Sequence, residues 1–157
     1  MSEIIVVGIG NPARGDDAAG WAVIDKLEKR IPEEIELSKQ RGDFSALMEI
    51  FASHDSVYLV DACLSDAPPG SWKRLDGLQE ALNVEKKETS THALSIPEAI
   101  ALSRELDQLP KTLIIYAIAG SSFQITSGLS PAVAGKIESI ARSILNEKEI
   151  QACMKKV

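Results

Sequence analysis

Apolar positions along this chain follow two periods. Short runs of strand length occur at 4–9, 35–37, 57–60 and 112–118, and the segments between them carry apolar residues at helical spacing. The alternation predicts an α/β fold. The first helix is expected over 16–30, because Trp21, Ile24 and Leu27 share one face while Asp25, Lys26, Glu28 and Lys29 lie largely elsewhere. Gly20 would let its first turns lie close to a sheet. Ser95-Ile96-Pro97-Glu98 has the form of a capping box, which predicts a helix starting there and reaching about Leu106. Ser130-Pro131 reads as an N-cap followed by an N1 proline, and Val133, Ile137, Ile140 and Ile144 form the stripe of one last long helix. The polar end, 146–157, reads as a frayed tail. From 65 to 93 the pattern is irregular, with a short edge strand expected at 71–75 and a helical turn at 78–83.

With 157 residues, of which 45% are hydrophobic, the chain can bury one core, and a single domain over 1–157 is expected. Seventeen Lys and Arg against 23 Asp and Glu give a net charge of -6, the wrong sign for tracking a phosphate backbone. No nucleic-acid partner is expected. Gly, Asp or Lys interrupts every apolar run well short of the roughly 20 residues a spanning helix needs, so no membrane partner is expected either. Cys63 and Cys153 form neither a metal-spaced cluster nor a disulfide framework, and the first apolar run has no basic leader. These features predict a cytoplasmic protein.

Candidate chemistry begins where the first run ends. Gly8-Ile9-Gly10-Asn11-Pro12-Ala13 fits a dinucleotide-binding turn, but Pro12, Arg14 and Gly15 lengthen it, and Asp16 and Asp17 stand where a pyrophosphate would lie. Like charges about 4 Å apart repel by roughly 4 kcal/mol at an effective dielectric near 20, which disfavours a nucleotide. A helix cap accounts for one of the two acids and leaves the other unexplained. Asp61 closes the run 57–60, and in an open parallel sheet the strand ends after the first and third runs share one rim. His54 precedes that third strand and is expected near the opposite edge. His92 lies in a polar stretch ahead of Ser95, from which it can reach the strand ends. Two carboxylates and an imidazole, Asp17, Asp61 and His92, suit a divalent transition metal with positions left open. Cys63 could add a thiolate, although burial as a small hydrophobe is its commoner use.

Taken together, Gly8-x-Gly10-Asn11-Pro12-x-Arg14-Gly15-Asp16-Asp17, Val60-Asp61-Ala62, His92 before a helix, and Gly128-Leu129-Ser130-Pro131 resemble the hydrogenase maturation proteases. These endopeptidases remove a C-terminal extension from the large subunit of [NiFe] hydrogenases. The resemblance implies a three-layer α/β/α sandwich around a mixed, mainly parallel sheet. It further implies that nickel, supplied by the large-subunit precursor, is read by Asp17, Asp61 and His92, which would then be both the metal-binding and the catalytic residues. Asn11, Gly42 and Asp43 would support the site, Gly42-Asp43 as a second turn on the same rim. Asp16 would also support it, by capping the helix or positioning Arg14. A protein that docks on the nickel-loaded precursor without cutting it would use the same trio and remains the alternative, ahead of a dinucleotide-binding domain.

Overall fold

The structure, a computed structural model, describes residues 3–79, 92–125 and 128–155, and of 92–95 the backbone alone. Strand β1 (Ile4–Ile9) is buried at every position, as an apolar run of Ile, Val and one Gly with no polar side chain requires. It lies between β2 (Glu36–Gln40) and β3 (Ser56–Cys63), both parallel to it. Beyond β3 come parallel β5 (Thr112–Ala119) and antiparallel β4 (Trp72–Asp76), giving the order β2-β1-β3-β5-β4. The expected mixed, mainly parallel sheet is present, with β4 as the predicted edge strand.

Helices cover both faces. On one, α1 (Ala19–Leu27) and α5 (Ile137–Leu145) pack over Val6, Tyr58, Val60, Tyr116 and Ile118. On the other, α2 (Phe44–Ser53) and α3 (His92–Glu105) pack over Val7, Val57, Leu59 and Ile115. Alternation along β3 therefore sends Tyr58, Val60 and Ala62 toward α1, and Val57, Leu59 and Asp61 toward α2 and α3.

Three helix boundaries differ from expectation. The helix predicted from residue 16 opens as a 3-10 turn, Gly15–Ala18, before α1 begins. Helix α3 starts at His92 rather than at a Ser95 cap, and Pro97 lies inside it. The missing proline N–H therefore interrupts the ladder near the first turn of a helix otherwise held by Ile96, Ala99 and Ile100 in the core. The last helix is divided into α4 (Pro131–Ala134), capped by the Ser130 hydroxyl, and α5, with Gly135 and Lys136 between them. The chain end expected to fray is folded instead: Lys148–Met154 form α6, which buries Ile150. The helical turn predicted at 78–83 falls mostly outside the described residues. Among the described residues no helix is long and apolar enough to cross a membrane.

One close approach seats α1 on the sheet. A Cβ at Gly20 would lie 2.5 Å from the Val60 carbonyl oxygen and 2.7 Å from that of Ile9. Gly20→Ala should therefore lift the first turn of α1 and cost about 1–3 kcal/mol, the usual penalty of overpacking, read as a lowered urea midpoint.

A second anchor ties the start of α6 to the sheet. Arg74 grips Glu147 through Nε at 2.8 Å and a terminal nitrogen at 2.9 Å, and the Tyr116 hydroxyl donates to the same carboxylate. Burial pushes the Glu147 carboxyl up, but the hydrogen bonds from Arg74 and Tyr116 outweigh it and hold the group below the usual carboxylate range. Because the folded value is the lower one, this stabilisation is present above the unfolded carboxyl's range and fades as pH falls through the folded value. Glu147→Gln should cost about 1–2 kcal/mol at neutral pH. Between about pH 6 and pH 3 its melting temperature should fall less than that of the parent chain.

Candidate functional site

Crossover connections bring the C-terminal ends of β1, β2, β3 and β5 to one rim. Gly10, at φ 155°, turns the chain sharply after β1, and a Cβ there would collide with the Asp17 carbonyl. From that point the segment closes on itself. The Asn11 side chain accepts from Ala13 N at 2.9 Å, Arg14 N donates to the Asn11 carbonyl at 3.1 Å, and Asp17 N donates to the Arg14 carbonyl at 3.0 Å. The Asn11 amide then donates to Asp17 Oδ2 at 3.0 Å, so the expected supporting residue holds the carboxylate through its backbone. Asp17 is 1% exposed.

Asp61 reaches the same rim from the neighbouring strand. Gly8 pairs with Val60, which places Asp61 one residue further, level with the point where β1 gives way to its turn. Its side chain is buried, and the 3-10 turn carrying Asp17 packs against β3. His92 enters from above the other face. Because Glu105 leads through a short link to the bottom of β5, α3 runs antiparallel to that strand and its first residue, His92, stands at the rim end. The side chain of His92 lies outside the described residues. Among the described residues no three His, Cys, Asp or Glu side chains form a metal-holding group.

The remaining candidates separate by position. Gly42, at φ 85°, turns the chain after β2 and is buried, while Asp43 is exposed at the start of α2, where its side chain makes no capping bond. The Cys63 thiol, half-buried, donates to the Ile118 carbonyl at 3.6 Å. His54 ends α2, pairs with Glu36 at 3.1 Å and stands beside the start of β3, away from the rim as expected.

Asp16 takes neither role suggested for it. It forms no cap on its own turn. Its carboxylate, 0% exposed, accepts instead from Ser121 N at 2.7 Å, Ser122 N at 3.2 Å, Ser130 N at 2.7 Å and Ser130 Oγ at 2.9 Å. In the sequence Ser130 is legible only as a helix cap, and no local signal marks Ser121 or Ser122, which are more than a hundred positions from Asp16. The adjacent acids are thus held in two directions, one by the segment after β5 and one by the turn's own backbone.

A groove of about 440 Å³ opens at the far end of the sheet, lined by Tyr58, Arg74, Thr112, Asn146 and residues 147–149. Its carboxylates are already engaged: Glu147 by Arg74, and Glu149 by Ser56 Oγ at 2.6 Å and the Tyr58 hydroxyl at 2.8 Å. The groove is a structural junction well removed from Asp17 and Asp61.

Comparison with known proteins yields one consistent family. The hydrogenase maturation protease family model matches residues 22–147, beginning just after the Asp16–Asp17 turn. The hydrogenase 2 maturation protease of Escherichia coli is 26% identical over 145 residues, covering 90% of this chain and 88% of that protein. The E. coli hydrogenase-maturating endopeptidase HybD shares the fold with a TM-score of 0.76 at 24% identity, over 90% of this chain and 89% of that one. The [NiFe] hydrogenase maturation protease HycI from Thermococcus kodakarensis superposes with a TM-score of 0.70 at 25% identity, over 91% and 90% of the two chains. The family match over residues 22–147, most of the chain, establishes that this chain belongs to the hydrogenase maturation protease family of endopeptidases.

Proposed function

We propose that this protein removes the C-terminal extension of a nickel-loaded [NiFe] hydrogenase large-subunit precursor, and that Asp17, Asp61 and His92 read the nickel. The observation that carries the proposal is the burial of Asp17 and Asp61 at neighbouring strand ends of one rim, with the start of α3 above it. A carboxylate withheld from water keeps its charge only where donors or cations meet it. A divalent ion arriving with the substrate is a further counter-charge for such a pair, and two carboxylates with an imidazole suit nickel. In this reading nickel belongs to the substrate. The three side chains engage an ion that the precursor already coordinates, and the scissile bond is thereby presented at the rim. Cleavage adds water across the peptide: its oxygen bonds to the carbonyl carbon, the C–N bond breaks, and the leaving amine takes a proton. The reaction takes place in the cytoplasm.

Incubating the protein with nickel-loaded precursor and weighing the products tests the reading directly. The expected result is a shortened large subunit and a released peptide. Binding of the precursor with no change in mass would favour a docking factor instead. Alanine at Asp17, Asp61 or His92 should each lower cleavage by at least about a hundredfold, the scale of losing a group that positions the reacting centre. Asp17→Glu keeps a carboxylate and should retain more activity than Asp17→Ala. Thermal unfolding of each variant alongside the assay separates loss of chemistry from loss of fold.

The three donors come from separate segments: the turn after β1, the end of β3 and the start of α3. A resident catalytic zinc usually sits on ligands preset by partners around them. The purified protein should therefore hold no stoichiometric metal, and cutting should require nickel in the precursor. Metal analysis and paired assays on nickel-free and nickel-loaded precursor check both expectations; tightly held zinc, or efficient cutting of nickel-free precursor, would overturn them.

A further inference from the structure

The two adjacent acids differ in what they can reach. Both oxygens of Asp16 are occupied, Oδ1 by Ser130 N and Oδ2 by Ser121 N, Ser122 N and Ser130 Oγ, and its own backbone N–H donates to the Ser122 carbonyl at 2.8 Å. The residue is fully buried. It is thus tied to the segment after β5 by five hydrogen bonds, while the next side chain, Asp17, accepts from Asn11 N. Both acids lie in a single 3-10 turn, where successive side chains are set about a third of a turn apart. Fixing the rotation of one therefore fixes the direction of the other.

We propose that Asp16 is a positioning residue for the cleavage reaction: its bonds to Ser121, Ser122 and Ser130 set the rotation of the turn and so aim the Asp17 carboxylate. The inference rests on the role given to Asp17 above. Asp16 itself is withdrawn from a substrate metal or water, because it is fully buried and its carboxylate already accepts from four donors of the segment after β5. The segment after β5 thereby contributes to the site without a residue in it.

Asp16→Asn tests the coupling. An amide replaces one oxygen by a donor, so whichever way it sits, at least one backbone N–H that Asp16 now satisfies faces another donor. The turn should relax, and two readouts should change. On nickel-loaded precursor, kcat should fall about 10- to 100-fold with KM changed less than about threefold, since a misplacement near 1 Å at a reacting centre costs on that order. The amide of Asn11, which reports the position of Asp17 Oδ2, should exchange with deuterium about tenfold faster. A merely structural clamp would speed exchange at Ser121, Ser122 and Ser130 and leave Asn11 and kcat as they are.

Ser130→Ala removes one donor of the four to the carboxylate and keeps the backbone. It should move both readouts in the same direction by a smaller factor, and it carries the test if Asp16→Asn does not fold. Asn11 exchange at the parent rate in these variants overturns the inference. If the parent chain leaves the nickel-loaded precursor uncut, the protease reading is what fails, and the exchange of the Asn11 amide still decides whether Asp16 aims Asp17.

Discussion

Two adjacent carboxylates, each almost entirely removed from water, set the conditions for the whole rim. Side by side at about 4 Å, two such charges repel by roughly 4 kcal/mol at an effective dielectric near 20, and each also loses its hydration. The fold turns the two side chains in different directions. Asp16 is turned toward the segment after β5 and receives three donors on one oxygen and one on the other, and Asp17 is turned back on its own loop. Hydrogen bonds to a charged acceptor contribute about 1.5–3 kcal/mol each. Four such bonds converge on the Asp16 carboxylate.

That arrangement goes with a close approach of α1 to the sheet. Gly20 lets the helix backbone approach the carbonyls of Ile9 and Val60, and Gly10 lets the chain double back beneath Asp17. A side chain at either position would raise the 3-10 turn away from β3. Asp17 would then no longer stand beside the end of that strand, where Asp61 is fixed by eight residues of pairing with β5. The glycines and the acids form one device: the first bring backbone close, and the second use the donors that this proximity exposes.

How far the sequence reveals this depends on the range of each interaction. Strands β1, β3 and β5 are legible because a strand buried on both faces leaves a continuous apolar run, and the apolar face of α1 is legible from its spacing. The capping box at Ser95 misled because it is a local signal, and the helix continues through it back to His92. The end of the chain misled for the same reason. Residues 148–154 look polar, yet Ile150 supplies the buried contact that folds them, and Glu147 and Glu149 reach tyrosines on strands far away in sequence. Asp17 and Asp61 could be singled out because each comes after a recognisable strand. The partners of Asp16 could not, since no pattern around residue 16 refers to residue 121 or 130.

The division of labour between the two acids bears on how a protease could act only on a finished substrate. A site whose ligands were all held by one rigid element would bind metal by itself and be competent before any substrate arrived. Here Asp17 lies in the 3-10 turn after β1 and Asp61 near the end of β3, while the helix that begins with His92 packs on the face of the sheet opposite α1. Assembled from separate segments, such a set gains its full coordination only when the ion comes with ligands of its own. On the proposed reading, selectivity for a metal-loaded precursor arises because the ligands come from separate segments and the ion brings ligands of its own, with Asp16 aiming Asp17.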